Sequence, residues 1–165
     1  MVVMIAGRRL TRQGTTGECA VDPRSRGCWL ASWKGVSPSG ASPQAGIEEI
    51  AERAGSGHLD PCNIVNSPTR FYRNRDLLNE VFDRLGRWIV SCHAKDLTWD
   101  EEMNLHFREV RPGAGSMDYT TYLKRLATLG HNAPLMLEHL PNAEEHDKGR
   151  TYLFDLGRKI GVSFG

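Results

Sequence analysis

The sequence predicts an α/β fold, a partial (β/α)8 TIM-like barrel made of its last three β/α units behind an irregular N-terminal segment. Three observations predict it. Strand-like and helix-like apolar segments alternate from His58 to the end, which calls for a parallel sheet with right-handed crossovers. Each of three successive units places an acid or imidazole just past a strand's C-terminal end, namely Asp60, His93 and Glu138. In a closed barrel those ends converge on one mouth, where the active site is built. A full barrel takes about 250 residues, roughly 31 per unit, so the 108 residues from 58 to 165 hold about three units. An open doubly wound sheet stays as the structural competitor, because a partial barrel leaves strand edges unpaired.

The N-terminal third reads differently. All six His, all four Tyr and all five Phe lie at position 58 or later, while residues 1–57 carry nine of the 17 Gly and Ser/Pro/Gly clusters such as Val36 to Pro43. Without sustained periodicity, 1–57 is expected to be irregular and poorly packed, and 58–165 to be the barrel portion. One short helical face, Ile47, Ile50 and Ala51, precedes the break at Gly55-Ser56-Gly57.

From His58 onward each element has a local cause. The residues before Asp60 supply a strand end, Asp60-Pro61 a turn, and a helix follows Asn74 with Leu77, Leu78, Val81, Phe82 and Leu85 as its apolar face and Gly86 at its C-cap. Trp88 to Cys92 reads as a strand buried on both faces that runs into polar His93-Ala94-Lys95-Asp96. Leu105 to Val110 alternates, as a further strand or hairpin arm would. Asp118 caps a helix that buries Tyr119, Tyr122, Leu123, Leu126 and Leu129 and is closed by Gly130. Pro134 to Leu137 makes a second buried strand, and the last helix starts at a capping box, Asn142 with Glu145, burying Tyr152, Leu153, Leu156 and Ile160.

Composition bounds the function. With 21 Lys+Arg against 20 Asp+Glu, the chain has no bulk field to hold nucleic acid or an acidic membrane surface. Hydrophobic content of 39% with 25% charged residues describes a globular chain. The N-terminal apolar run Val2 to Ala6 is cut by Arg8 and Arg9, too short for a signal or a membrane span, so a cytoplasmic address is expected. Cysteines 19, 28, 62 and 92 form no CxxC pair and read as reduced thiols, with Cys62 and Cys92 as small core residues.

Asp60, His93 and Glu138 are hard or borderline ligand types that together can hold a divalent metal such as Mn, Mg, Co or Zn with positions left for substrate. Singly, each has an ordinary explanation: a turn Asp before Pro, a hydrogen-bonded strand-end His, a solvated Glu. Repetition of the placement in three units raises the set. One shared cation requires their ligand atoms to lie within about 5 Å of one another. His139 is expected to alternate away from Glu138, and His106, His131 and His146 to face solvent. Gly113 and Gly115 fit a tight loop better than a phosphate cradle.

These residues also carry a family resemblance. His58-Leu59-Asp60-Pro61-Cys62-Asn63, Ser91-Cys92-His93-Ala94-Lys95-Asp96, the segment from Glu109 to Tyr119 with Arg111-Pro112-Gly113-Ala114-Gly115, and Leu135-Met136-Leu137-Glu138-His139 resemble the last three strand ends of the xylose isomerase-like TIM barrels. They are most similar to the sugar phosphate isomerase/epimerase group. The resemblance covers 58–165 and none of 1–57.

It implies a divalent metal, Mn most often, held by Glu, Asp, His and Glu, of which Asp60, His93 and Glu138 match the last three. Glu138 would also be catalytic, moving a proton beside a carbonyl through an enediolate. Asn63, Lys95 and Arg111 match substrate-side positions, and Lys95 paired with Asp96 is the alternative for that lysine. The first Glu has no match: Glu48, Glu49 and Glu52 lie in a helix-like segment and Glu18 among Gly and Thr. The chain by itself is therefore expected to turn over poorly. A small-molecule sugar or sugar phosphate is the implied partner, without nucleic acid or membrane, and homo-oligomerisation is left open. Two rivals remain. A truncated, non-catalytic barrel piece or interaction module is suggested by the atypical N-terminal third. An apurinic endonuclease-like metal phosphodiesterase is disfavoured by Glu109-Val110-Arg111 standing where that branch has Asp-x-His, and by the net charge of +1.

Overall fold

The computed structural model describes residues 3–5, 29–30, 55–100 and 106–164. The Ile47 helical face, the Ser/Pro/Gly clusters, Glu18, Glu48, Glu49, Glu52, Cys19 and Cys28 lie outside the described residues, as does most of the irregular segment expected over 1–57. In chain order the elements are β1 (Val3–Ile5), β2 (Trp29–Leu30), β3 (Gly57–Leu59), α1 (Pro61–Ile64), α2 (Pro68–Tyr72), α3 (Asn74–Leu85), a 3-10 turn (Gly86–Trp88), β4 (Ile89–Ala94), β5 (Asp96–Trp99), β6 (Phe107–Val110), α4 (Tyr119–Ala127), β7 (Leu135–Leu137) and α5 (Ala143–Ile160).

Five strands form one sheet in the order β1-β7-β4-β3-β2. β2, β3, β4 and β7 run parallel, with Leu59 opposite Cys92 and Cys92 opposite Leu135, whereas β1 pairs antiparallel with β7. The result is a mixed α/β fold whose parallel sheet agrees with a partial TIM-like fold. β5 and β6 form a separate antiparallel hairpin. This settles the alternating stretch near Val110 as a hairpin arm. It also corrects the polar run after His93: Asp96 opens a strand there, and Leu97 and Trp99 pair with Glu109 and Phe107. Trp99, Phe107 and the buried Phe71 of α2 are in ring contact, which seats the hairpin on that helix.

Strand alternation divides the sheet into two unlike faces. Leu59, Cys92, Ala94, Leu135 and Leu137 point to one side and share a core with Leu78 and Phe82 of α3, Tyr122 and Leu123 of α4, and Leu153 of α5. Each fully buried leucine there contributes roughly 2 kcal/mol. The other side carries His58, Asp60, Ser91, His93, Met136 and Glu138, and His58 Nδ1 lies 2.6 Å from Ser91 Oγ. The expectation that Trp88 to Cys92 is buried on both faces fails here. Trp88 belongs to the preceding turn, Val90 is 46% exposed, and one face of β4 is polar.

The helix signals largely hold. Asp118 accepts from the Thr121 N–H at 3.0 Å and Asn142 from the Glu145 N–H at 2.9 Å. The Glu145 side chain pairs with Arg111 and Lys148, so only the Asn half of the capping box is made. Gly86 is the C-cap of α3, as expected, with a right-handed backbone (φ −50) that leads into the 3-10 turn, while α4 ends at Ala127 with Thr128 as its cap, ahead of Gly130. His146 is buried, contrary to expectation, because His146, Gly149, Leu153 and Gly157 continue the inner stripe of α5.

Candidate metal centre

Asp60, His93 and Glu138 end three neighbouring parallel strands, and their ligand atoms all lie within 4.8 Å of one another. Asp60 and the backbone of His93 are fixed by local structure. Asp60 is 1% exposed and caps α1, its Oδ1 accepting from the Cys62 N–H at 3.0 Å, which leaves Oδ2 to face the site. Oδ2 is 3.3 Å from His93 Nδ1 and 2.9 Å from Lys95 Nζ. His93 Nδ1 is also 2.9 Å from Glu138 Oε2. The backbone beneath is pinned by two buried phenols, Tyr122 donating to the His93 carbonyl at 2.9 Å and Tyr119 to the Lys95 carbonyl at 2.8 Å.

The electrostatics follow from this packing. Burial pushes the Asp60 carboxyl up, but hydrogen bonds from His93 and Lys95, with their charge, hold it below the usual carboxylate range. Burial alone would depress the Lys95 ammonium, yet the hydrogen bond and charge of Asp60, with Glu109 and Glu138, keep it above its ordinary value. His58, its ring centroid 3.9 Å from that of His93, is lowered by burial and then by His93. Two acids and an imidazole gathered this closely are a hard and borderline donor set that suits Mn, Mg, Co or Zn.

A cleft of about 380 Å³ opens beside this cluster, with Lys95, Glu109, Arg111, Glu138, His139 and Glu145 on its walls. Of the expected substrate-side residues, the structure brings Lys95 and Arg111 to the cleft. Arg111 Nε is 3.1 Å from Glu145 Oε2, on the rim rather than at the carboxylate pair. Asn63 sits on α1, where its backbone N–H donates to the Asp60 carbonyl at 3.2 Å, and it does not line the cleft. Lys95 is not paired with Asp96. It turns instead to Asp60 and to Glu138, 3.3 Å away.

Four residues were missed or misplaced by sequence reasoning. Asp96 accepts from the N–H groups of Leu97, Gly113, Gly115 and Met117, so the glycine loop is wrapped around an internal carboxylate and not around a ligand. Gly113 has φ 82, and a Cβ there would strike the Tyr152 ring. His139 does not point away from Glu138: its φ of 58 ends the strand alternation, and its Nδ1 lies 3.0 Å from Lys95 Nζ. Glu109, opposite Leu97 on the hairpin, comes within 3.8 Å of Lys95 and 3.5 Å of His139. His58, two residues before Asp60, was readable as a neighbour on the same strand face.

Among the described residues, the expected first Glu ligand has no counterpart. β2 is the parallel neighbour on the open side of β3, and the first acidic residue after it in the sequence is Glu48.

Among solved structures the chain is similar to a xylose isomerase domain protein from Planctomyces limnophilus, with a TM-score of 0.52 and 22% identity. The fold is xylose isomerase-like. The match covers 72% of this chain and 42% of that protein, so the chain spans less than half the length of its xylose isomerase-like neighbour. Neither family models nor curated proteins give a match to the sequence. No helix among the described residues is long and apolar enough to cross a membrane.

Proposed function

We propose that residues 58–165 are the last three β/α units of a xylose isomerase-like barrel, distinct from residues 1–57, and that they carry the metal-binding half of a sugar isomerase or epimerase site. The observation that carries this reading is the convergence of Asp60, His93 and Glu138 within 4.8 Å at adjacent parallel strand ends. A divalent cation there, Mn by preference, would supply Lewis-acid polarisation of adjacent hydroxyl and carbonyl oxygens of a sugar or sugar phosphate. Asp60 and His93 would hold that cation from the buried floor. Glu138, 29% exposed and lining the cleft, serves as ligand and as the base that takes a proton from the carbon beside the carbonyl, giving an enediolate. Arg111, on the cleft wall, would donate to substrate oxygens, and Lys95, which also lines the cleft, would do so once freed from Asp60 and Glu138, with Asn63 more remote.

Metal analysis of the purified chain followed by a sugar-panel assay of proton exchange tests the reading. Glu138→Gln is expected to abolish exchange, because it removes both a charged ligand and the proton carrier. Retained exchange in that variant would overturn the assignment. A non-catalytic role is the second reading, favoured by the absence of an acid in the sequence between β2 and Glu48.

A further inference from the structure

Asp60 and Glu138 place two carboxylates side by side in a site where Asp60 is almost wholly buried, and buried charges require a partner. The chain supplies its own. Lys95 is 5% exposed, and its Nζ reaches Asp60 Oδ2 at 2.9 Å and Glu138 Oε2 at 3.3 Å. These are two of the three residues whose ligand atoms converge on the cation position. An ammonium held against the same two carboxylates stands within a few ångströms of a cation bound there, and like charges at that separation in a partly desolvated site repel strongly.

Among the described residues, Glu109 and His139 offer the ammonium a way out. Glu109, exposed on the hairpin and part of the cleft wall, has Oε1 3.8 Å from Nζ. His139, held at φ 58 just after β7, offers Nδ1 at 3.0 Å on the same side. The flexible four-carbon lysine stem allows the head group to swing while its own backbone carbonyl stays tied to Tyr119.

We propose that the Lys95 ammonium and a divalent cation compete for the Asp60–Glu138 carboxylate pair, and that Lys95 retreats onto Glu109 when the cation binds. This rests on the reading of Asp60, His93 and Glu138 as a cation site. Lys95 is then an internal counter-ion that lowers cation affinity. On displacement it enters the cleft, where the substrate oxygens would lie.

Isothermal titration of the whole chain with Mn tests the competition. Lys95→Met, folded as judged by circular dichroism, is expected to bind Mn at least about tenfold more tightly than wild type, since a like charge has been removed. Glu109→Gln should weaken Mn binding several-fold more when Lys95 is present than in the Lys95→Met background. Wild-type protein gives a readout that needs no variant: acetylation of the Lys95 amine, followed by mass spectrometry, should rise several-fold at saturating Mn as the head group leaves its buried pair. Equal or weaker Mn binding by Lys95→Met, or Lys95 labelling that stays constant or falls with Mn, overturns the exchange while leaving the cation site standing. Absence of Mn binding by both proteins overturns the exchange and the cation site together.

Discussion

Asp60 shows how one side chain can serve both fold and site. Oδ1 closes the first turn of α1 and Oδ2 meets His93 and Lys95, so the cap fixes the angle at which the carboxylate faces the cluster. The same coupling runs through the tyrosines of α4, whose hydroxyls hold the carbonyls of His93 and Lys95. Tyr122→Phe is expected to leave a buried carbonyl without its donor and to lower stability by about 1–3 kcal/mol, measured by urea denaturation. Cys62 and Cys92, beside Asp60 and His93, are buried in the core. Burial pushes the Cys92 thiol up to about 12, and Cys62 is raised in the same way. Both are expected to react with a thiol reagent only after unfolding, and labelling of either in the native chain would contradict their core placement.

At the scale of elements, the helix α4 is set by Asp118. Burial works against its carboxylate, but the Thr121 N–H and the Arg75 guanidinium outweigh it and hold the group below the usual range. A carboxylate depressed in the folded state contributes stability that is complete above its unfolded value, about 3.9, and that is lost as pH falls through the folded value. Asp118→Ala is expected to cost about 1 kcal/mol at pH 7, and the gap between variant and wild type should narrow below about pH 4. A gap that is constant from pH 7 to pH 3 in thermal melts would remove the charge from the explanation. Caps and stripes such as these were legible because they are local: Asp118 and Asn142 announce helices within three residues. Of the β5–β6 hairpin only the second arm was legible. Asp96 looked like a partner for its neighbour Lys95, whereas its actual donors at Gly113, Gly115 and Met117 lie 17 to 21 residues away. Lys95, Glu109 and His139 meet for the same reason only in three dimensions, once the hairpin folds beside the end of β7.

At the scale of the whole molecule, the sheet has a dry face under α3, α4 and α5 and a polar face leading to Asp60, His93 and Glu138. The parallel order of β3, β4 and β7 was readable from alternation, and with it the convergence of Asp60, His93 and Glu138, because strand ends converge whatever lies between them. The pairing of Val3–Ile5 with β7 was not, since three residues carry no period. In a closed (β/α)8 barrel the last strand would pair in parallel with the first; here β1 occupies that edge in the antiparallel sense. The proposed site thus has three matched ligands and one polar wall, facing a space that a full barrel of about 250 residues would enclose. Enclosure matters to the chemistry, because exclusion of water strengthens every electrostatic interaction at the carbon being deprotonated. The 165-residue chain is therefore expected to show little proton exchange beside a ketose carbonyl even at saturating Mn. Supplying the complementary upstream β/α units, with a strand-end Glu beside β3, should restore it. Robust exchange by the chain alone would show that three ligands and an open mouth suffice. Failure of the completed barrel across a broad sugar panel would instead point to the non-catalytic reading.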